Sequence, residues 1–335
     1  MRFPRLKAEG QSFYHCLSRV VERRFIFQTT GHGSVEAERF VWLMRRLEAF
    51  SGVRVLDYVL MSNHFHLLCE VPPPRSLSEL ELLERIEAGF GPARRQALEQ
   101  ERRRLSREPE PEAQIEGLFA PYRRRMYDLS IFLKELKGGF AQWYNRRHQR
   151  EGVLWAERFK SVLLEGGQAV AAVAAYIELN PVRAGLCSDP KDYRYCGYAE
   201  AVAKGSALAR QGIRSALGLA ETIPWKEVGR QYRQYLFRQG SLPTKVRPPV
   251  FDPAKAQKVV EAQKGELSLP ERLRCRMRYL SDGVILGSQS FVQGHLAKLT
   301  GKLGAKRRRS AKRLVALGGS DPLWVFRDPR VRAVG

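Results

Sequence analysis

The chain has no run of 18 consecutive apolar residues, so no segment of it reads as a membrane span. Its N-terminal MRFPRLKAEGQSFYH has no apolar stretch before a cleavage site, which sets aside a secretory signal. A cytoplasmic protein with no membrane partner is therefore expected. Cysteine is scarce: Cys16, Cys69, Cys187, Cys196 and Cys275 make an odd set without a C-x-x-C pair, which argues against a zinc finger and a disulfide framework. They read as reduced core thiols. No phosphate-cradling glycine loop is present, so chemistry driven by nucleotide hydrolysis is not expected. Acidic residues are in deficit, 35 against 58 Lys and Arg, for a formal charge of +23 and a pI of about 10.2. Such an excess needs a polyanion. Nucleic acid comes first, because Lys and Arg on phosphates release counterions, and an acidic membrane surface comes second.

What is present is enough for a real core. At 335 residues and 44% hydrophobic content the chain suits two domains, or one with large additions. SFYHCLSRVV (12–21) reads as a first strand and ERFVWLMRRLEAF (38–50) as a helix. VRVLDYVLM (53–61) and HFHLLCEV (64–71) read as a hairpin closed by Ser62 and Asn63. After VPPPR the composition turns helical and charged over 76–105, and EPEPEAQIEG (108–117) reads as a polar linker, which marks 76–126 as an insertion. A helix over 128–148, the strand-like VLWAERFKSVLLE (153–165) and a helix over 168–180 stopped by Pro181 follow. This order predicts an α+β fold with helices on an antiparallel sheet. The expected division is a first domain over 1–200, a helical linker over 201–245 and a basic, mainly helical accessory module over 246–335.

Within the hairpin, alternation puts His64 and His66 on one face of a strand, where two imidazoles can grip one cation. Taken alone, H-x-H is more often a pair of core histidines satisfied by carbonyls. In AAYIELNPVRAGL (174–186), Tyr176 and Asn180 lie four apart and share a helix face. On its own that pair reads as a rim tyrosine and a helix-ending asparagine.

Together, HFH, FAQWYNRRHQREGVLWAERFKSVLLE, YIELNPVRAGL and DPKDYRYCGYAEA resemble the REP-associated tyrosine transposases, members of the single-tyrosine HUH transposase superfamily. The resemblance covers residues 1 to about 200, with a gap at the insertion, which is longer than the family's connection there. It implies the ferredoxin-like antiparallel sheet of the HUH nuclease fold. It further implies that Tyr176 is the nucleophile, that His64, His66 and Asn180 are ligands of Mg²⁺ or Mn²⁺, and that the substrate is single-stranded or hairpin DNA. Donor type alone would have favoured manganese or zinc for two histidines.

Basic residues interleaved with rings, Arg146, Arg147, Arg150, Arg158 and Lys160 among Trp143, Tyr144, Trp155 and Phe159, suit single-stranded DNA, as does Arg183 beside the tyrosine helix. The competing reading buries the rings in the core and leaves the charges as a solvated face. Lys306, Arg307, Arg308 and Arg309 form a basic run that can serve as a phosphate clamp or a solvated tail. LSDGVILGSQSFV (280–292) resembles the C-terminal extension of longer family members.

The leading expectation is thus nicking and strand transfer at hairpin-forming repeats through a 5′-phosphotyrosine, in a nucleoid-associated protein acting as monomer or homodimer. A non-catalytic DNA-binding regulator of repeat elements on the same fold is the alternative. A two-histidine phosphoesterase would need two H-x-S/T motifs, and only His32 with Ser34 forms one. An RNA-binding role would explain the charge but leave the histidines and Tyr176 unused.

Overall fold

The computed structural model describes residue 6 and residues 10–27, 33–241, 252–262, 283–300, 311–314 and 322–327. Its centre is an antiparallel sheet of β1 (Ser12–Arg19), β2 (Arg54–Met61), β3 (His64–Val71) and β4 (Lys160–Leu164), in the spatial order β2-β3-β1-β4. The β2–β3 hairpin turns through Ser62 and Asn63 as the sequence predicts, and a bulge between Val55 and Asp57 interrupts its register. Beyond β4 the sheet continues through β5 (Gly283–Gly287), β7 (Trp324–Arg327) and β6 (Lys312–Arg313) to seven strands. Among the described residues only β4 and β5 pair in parallel. The residues read as a basic accessory module thus contribute three strands to the main sheet, while Lys306, Arg307, Arg308 and Arg309 lie outside the described residues.

One face of the sheet is covered by α1 (Val35–Ser51) and α5 (Leu129–Arg147), which pack on each other. Each begins with a cap. Ser34 accepts from the backbone N–H of Ala37, and Asp128 accepts from Ser130 and Ile131, so orphan donors of the first turn are satisfied. Phe40, Met44 and Leu47 of α1 and Phe132, Leu136 and Phe140 of α5 are buried on this side. Fully burying a side chain of this size stabilises the fold by about 1.5–3 kcal/mol.

The insertion holds α2 (Glu79–Phe90), α3 (Pro92–Leu105) and α4 (Pro111–Arg123), which close around Leu82, Leu83, Ile86, Phe119 and Tyr122 and dock on Phe50 of α1. The expected polar linker is therefore helical from Pro111 onward. Pro111 occupies the first turn, where its missing N–H costs nothing, and Phe119 and Tyr122 give the segment an apolar side to bury. The strand expected over 153–165 is shorter, Lys160–Leu164, because Trp155 leaves the ladder after a single bridge to Val20.

The other face carries α6 (Gln168–Glu178), the short α7 (Asn180–Arg183), α8 (Gly197–Ala203), α9 (Ala207–Ala216) and α10 (Trp225–Ser241). The last two fall in the segment read as a helical linker, and α9 packs directly on β2: a Cβ on Gly212 would stand 2.3 Å from the Leu56 carbonyl oxygen. α11 (Pro253–Ala262) packs on α10, and α12 (Gln289–Thr300) packs on β5 and β7. Cys16, Cys69 and Cys196 are free and buried, Cys187 is free and half-buried, and Cys275 lies outside the described residues. Among the described residues no helix is long and apolar enough to cross a membrane.

Candidate active site

His64 and His66 sit on the face of β3 that looks toward α6, and the pairing register sets Arg19 of β1 opposite His64 and Leu17 opposite His66. Phe65 between them points the other way, meeting the ring of Phe40 at 4.9 Å and that of Trp155 at 5.5 Å. The sheet therefore separates an aromatic core from a layer of imidazoles.

α6 can lie close over that layer because its buried positions include Ala169, Ala172, Ala174 and Ala175, side chains too small to hold a helix off a sheet. It delivers Tyr176, whose ring stands 5.8 Å from His66 and 5.8 Å from His15, edge-on to both. Tyr176 is half-buried.

Both histidines of the pair are held from behind. His15 of β1 is fully buried, stacks on His66 at 5.1 Å and places its Nε2 2.9 Å from His66 Nδ1. His64, its ring 5.1 Å from that of His66, has its Nδ1 2.7 Å from Asn63 Oδ1. The orientation of that amide is fixed, since Asn63 Nδ2 donates to the Arg23 carbonyl at 3.1 Å. An amide oxygen can only accept, so His64 Nδ1 carries the proton and its Nε2 keeps a lone pair. In His66 the contact with His15 engages Nδ1 and leaves Nε2 outside it. Burial, with Arg19 nearby, pushes the His64 imidazole down to about 4. His66 is driven well below the ordinary range by burial and then by His15 and His64. Both are neutral at physiological pH.

Pro181 does not end the tyrosine helix: after Leu179, in helical geometry, α7 continues for one more turn. Proline cannot donate to the Ile177 carbonyl four residues back, and the Asn180 side chain helps take its place. Its Nδ2 donates to Tyr176 O at 2.8 Å and to Ile177 O at 3.3 Å, so its Oδ1 is turned away from both. Arg183 donates to Tyr176 O at 3.0 Å, its guanidinium 5.1 Å from the tyrosine ring.

Two neutral imidazoles, each with its second nitrogen hydrogen-bonded, are donors whose chemistry suits a divalent ion, and Asn180 carries an amide oxygen one helical turn beyond Tyr176. Hydrogen-bonding the far nitrogen is how ligating histidines are oriented. Among the described residues no three His, Cys, Asp or Glu side chains group as a metal site, so His15 does not complete a histidine triad.

The other expected DNA contacts are spread more widely. Lys160 shares the sheet face of Leu17 and His15. Arg146 and Arg158 are exposed. Arg147 lies 3.5 Å from Glu36, and Arg150 donates to Asn145 Oδ1 at 3.3 Å. The rings among them belong mainly to the core: Phe159 is buried, and Trp143, Tyr144 and Trp155 pack against it.

Sequence reading did not single out His15, Asn63 or Arg19. The signal for His15 was its parity with Phe13 and Leu17, which puts a histidine between two apolar residues on one side of β1. Its partner could not be named without the β1–β3 register.

A second polar cluster lies under the same helix. Asp57 of β2 and Glu178 of α6 are both buried, with Tyr232 Oη donating to Asp57 Oδ2 at 3.2 Å and the Tyr198 N–H donating to Glu178 Oε1 at 2.6 Å. Burial and then the Glu178 charge push the Asp57 carboxyl well up. Gly197 is required here, since a Cβ would stand 2.3 Å from Asp57 Oδ1.

No family model matches the chain, and no curated protein matches it. Among solved structures it is similar to that of a REP-associated tyrosine transposase bound to a REP hairpin, at 12% identity and a TM-score of 0.39, covering 62% of this chain and 90% of that one.

Proposed function

We propose that this protein nicks single-stranded DNA and transfers the strand, at hairpin-forming repeats, through a covalent bond to Tyr176. The observation that carries the reading is the Tyr176 ring 5.8 Å from that of His66, which in turn lies 5.1 Å from that of His64. Nucleophile and phosphate-polarising groups must be neighbours for such chemistry. The net charge of +23 supports a polyanionic substrate.

In this mechanism the Tyr176 hydroxyl oxygen attacks the scissile phosphorus. An O–P bond forms to the tyrosine, the P–O3′ bond breaks, the phenolic proton passes to solvent, and the departing O3′ is protonated. The diester count is conserved, so attack by a second 3′ hydroxyl reverses the step on a new strand without ATP. Asn63 and His15 hold the His64 and His66 rings in place, and Arg183 brings positive charge beside the attacking ring. Mg²⁺ or Mn²⁺ bound by His64, His66 and Asn180 would supply Lewis-acid polarisation of the phosphoryl oxygen.

The test is incubation with hairpin oligonucleotides carrying an unpaired flank, followed by denaturing electrophoresis. A protein–DNA adduct formed by wild type and absent in Tyr176→Phe supports the proposal. Hairpin binding without an adduct in Mg²⁺ or Mn²⁺ would favour a DNA-binding regulator instead.

A further inference from the structure

α1 buries Phe40, Met44 and Leu47 and turns Arg39, Trp42 and Arg46 outward, positions three and four apart that form one stripe. The Arg39 guanidinium lies 4.1 Å from the Trp42 ring and that of Arg46 lies 4.4 Å from the same ring. Arg39 also reaches Trp143 of α5 at 5.7 Å, and Arg147 lies 5.8 Å from Trp143. The stripe thus continues across two helices. Trp42 is 42% exposed, a large share for an indole.

The charge of Arg39 and Arg46 on this stripe is uncompensated, whereas Arg147 lies 3.5 Å from Glu36. Among the described residues neither Arg39 nor Arg46 has a carboxylate at ion-pair distance, and the covered Arg39 Nε has no acceptor. The two cations disfavour each other: burial and then Arg39 lower the Arg46 guanidinium. Elsewhere on the helical layers arginines are commonly paired, as Arg45 is with Glu48 and Glu200 and Arg125 with Glu135. Because guanidinium groups already stack on Trp42, this is not a surface for stacking bases. It holds planar cations stiffly with donors outward, which is what a row of phosphates needs.

The stripe's position also matters. β1 leaves the sheet at Arg19, opposite His64, and the chain then enters α1; α5 ends at Arg147, where His148 Nε2 lies 3.0 Å from Glu36 of α1. Arg39, Trp143 and Arg147 therefore lie at the His64 end of the sheet but on its other side.

We propose that Arg39 and Arg46, held by Trp42 and Trp143, form a phosphate-binding track that grips the duplex stem of the DNA whose unpaired flank reaches Tyr176. The proposal rests on the DNA reading above, but not on covalent chemistry.

The experiment measures affinity for a hairpin oligonucleotide by fluorescence anisotropy between about 50 and 200 mM salt, for wild type, Arg39→Gln/Arg46→Gln and Trp42→Ala. Losing two phosphate contacts should make the slope of log K against log salt shallower by about 1.8, so the wild-type advantage shrinks roughly 10-fold over that range. Trp42→Ala should weaken binding with little change of slope, since both charges remain. Arg104→Gln, an exposed arginine already paired with Glu101, should leave the slope as it is. Circular dichroism establishes that the variants are folded, and Arg39→Lys/Arg46→Lys should restore most of the slope. An unchanged slope in the double glutamine variant, with wild-type hairpin binding intact, overturns the track while leaving nicking untouched. Failure of the wild type to bind any hairpin overturns both.

Discussion

His15 Nε2 lies 2.9 Å from Nδ1 of His66, on the adjacent strand and out of contact with solvent. The contact fixes which nitrogen of His66 is left for chemistry, as Asn63 does for His64 from the hairpin turn. Replacing such an orienting partner typically costs 10–100-fold in metal affinity. His15→Ala and Asn63→Ala should each weaken Mn²⁺ binding by roughly 10-fold or more, measured by calorimetry in the absence of DNA. Wild-type Mn²⁺ affinity in both variants would remove the orienting role.

Asp57 makes a pH-dependent contribution to stability that Asp57→Asn should abolish. Its folded-state pKa is raised by burial and by Glu178, so the folded protein keeps a proton that the unfolded chain releases above about pH 4. That contribution is fully present below the unfolded value and falls as pH rises toward the folded one, by at most about 1.4 kcal/mol per pH unit. Asparagine mimics the neutral acid and can accept from the Tyr58 N–H as Asp57 Oδ1 does at 2.8 Å. The variant should gain stability relative to wild type as pH rises above about 5, read from urea unfolding at several pH values. A gap that does not change with pH would show that Asp57 is ionised in the fold.

Gly212→Ala should destabilise by about 1–3 kcal/mol or more, because its methyl would collide with the Leu56 backbone and push α9 off β2. A value near zero by chemical unfolding would mean that α9 is not held against the sheet.

Deleting 302–335 is a poor test of the basic run, since it also removes β6 and β7 and with them the buried Val325 and Phe326. Changing Lys306, Arg307, Arg308 and Arg309 together to glutamine keeps the strands. If the run is a phosphate clamp, hairpin affinity should fall for every sequence tried and the salt slope should lessen by up to about 3.6. An unchanged slope would make the run a solvated tail.

The β2–β3 hairpin was legible almost to the residue, because alternation and two turn formers between β-branched runs leave little choice of boundary. The pairs His64 with His66 and Tyr176 with Asn180 were legible for the same periodic reason. The contact of His15 with His66 was not, since it depends on the β1–β3 register, a long-range pairing that local pattern does not encode. The Glu- and Pro-rich wording of 108–117 concealed a helix because its apolar side, Phe119 and Tyr122, lies just beyond. Pro181 suggested a stop where the helical path continues, since the Asn180 side chain helps satisfy the carbonyl that proline leaves. The segment 201–245 resembled a linker because the surface it covers, Leu56 and Asp57 on β2, is far away in sequence.

Trapping the covalent intermediate tests the central claim most directly. Wild type, Tyr176→Phe and Tyr144→Phe are incubated with a hairpin oligonucleotide in Mn²⁺, digested, and the nucleotide-bearing peptide is sequenced by mass spectrometry. The account predicts an adduct on Tyr176 in wild type and Tyr144→Phe, and none in Tyr176→Phe, which keeps the ring beside His15 and His66 and should bind the hairpin normally. A nucleotide on Tyr144, or an adduct persisting in Tyr176→Phe, would contradict it.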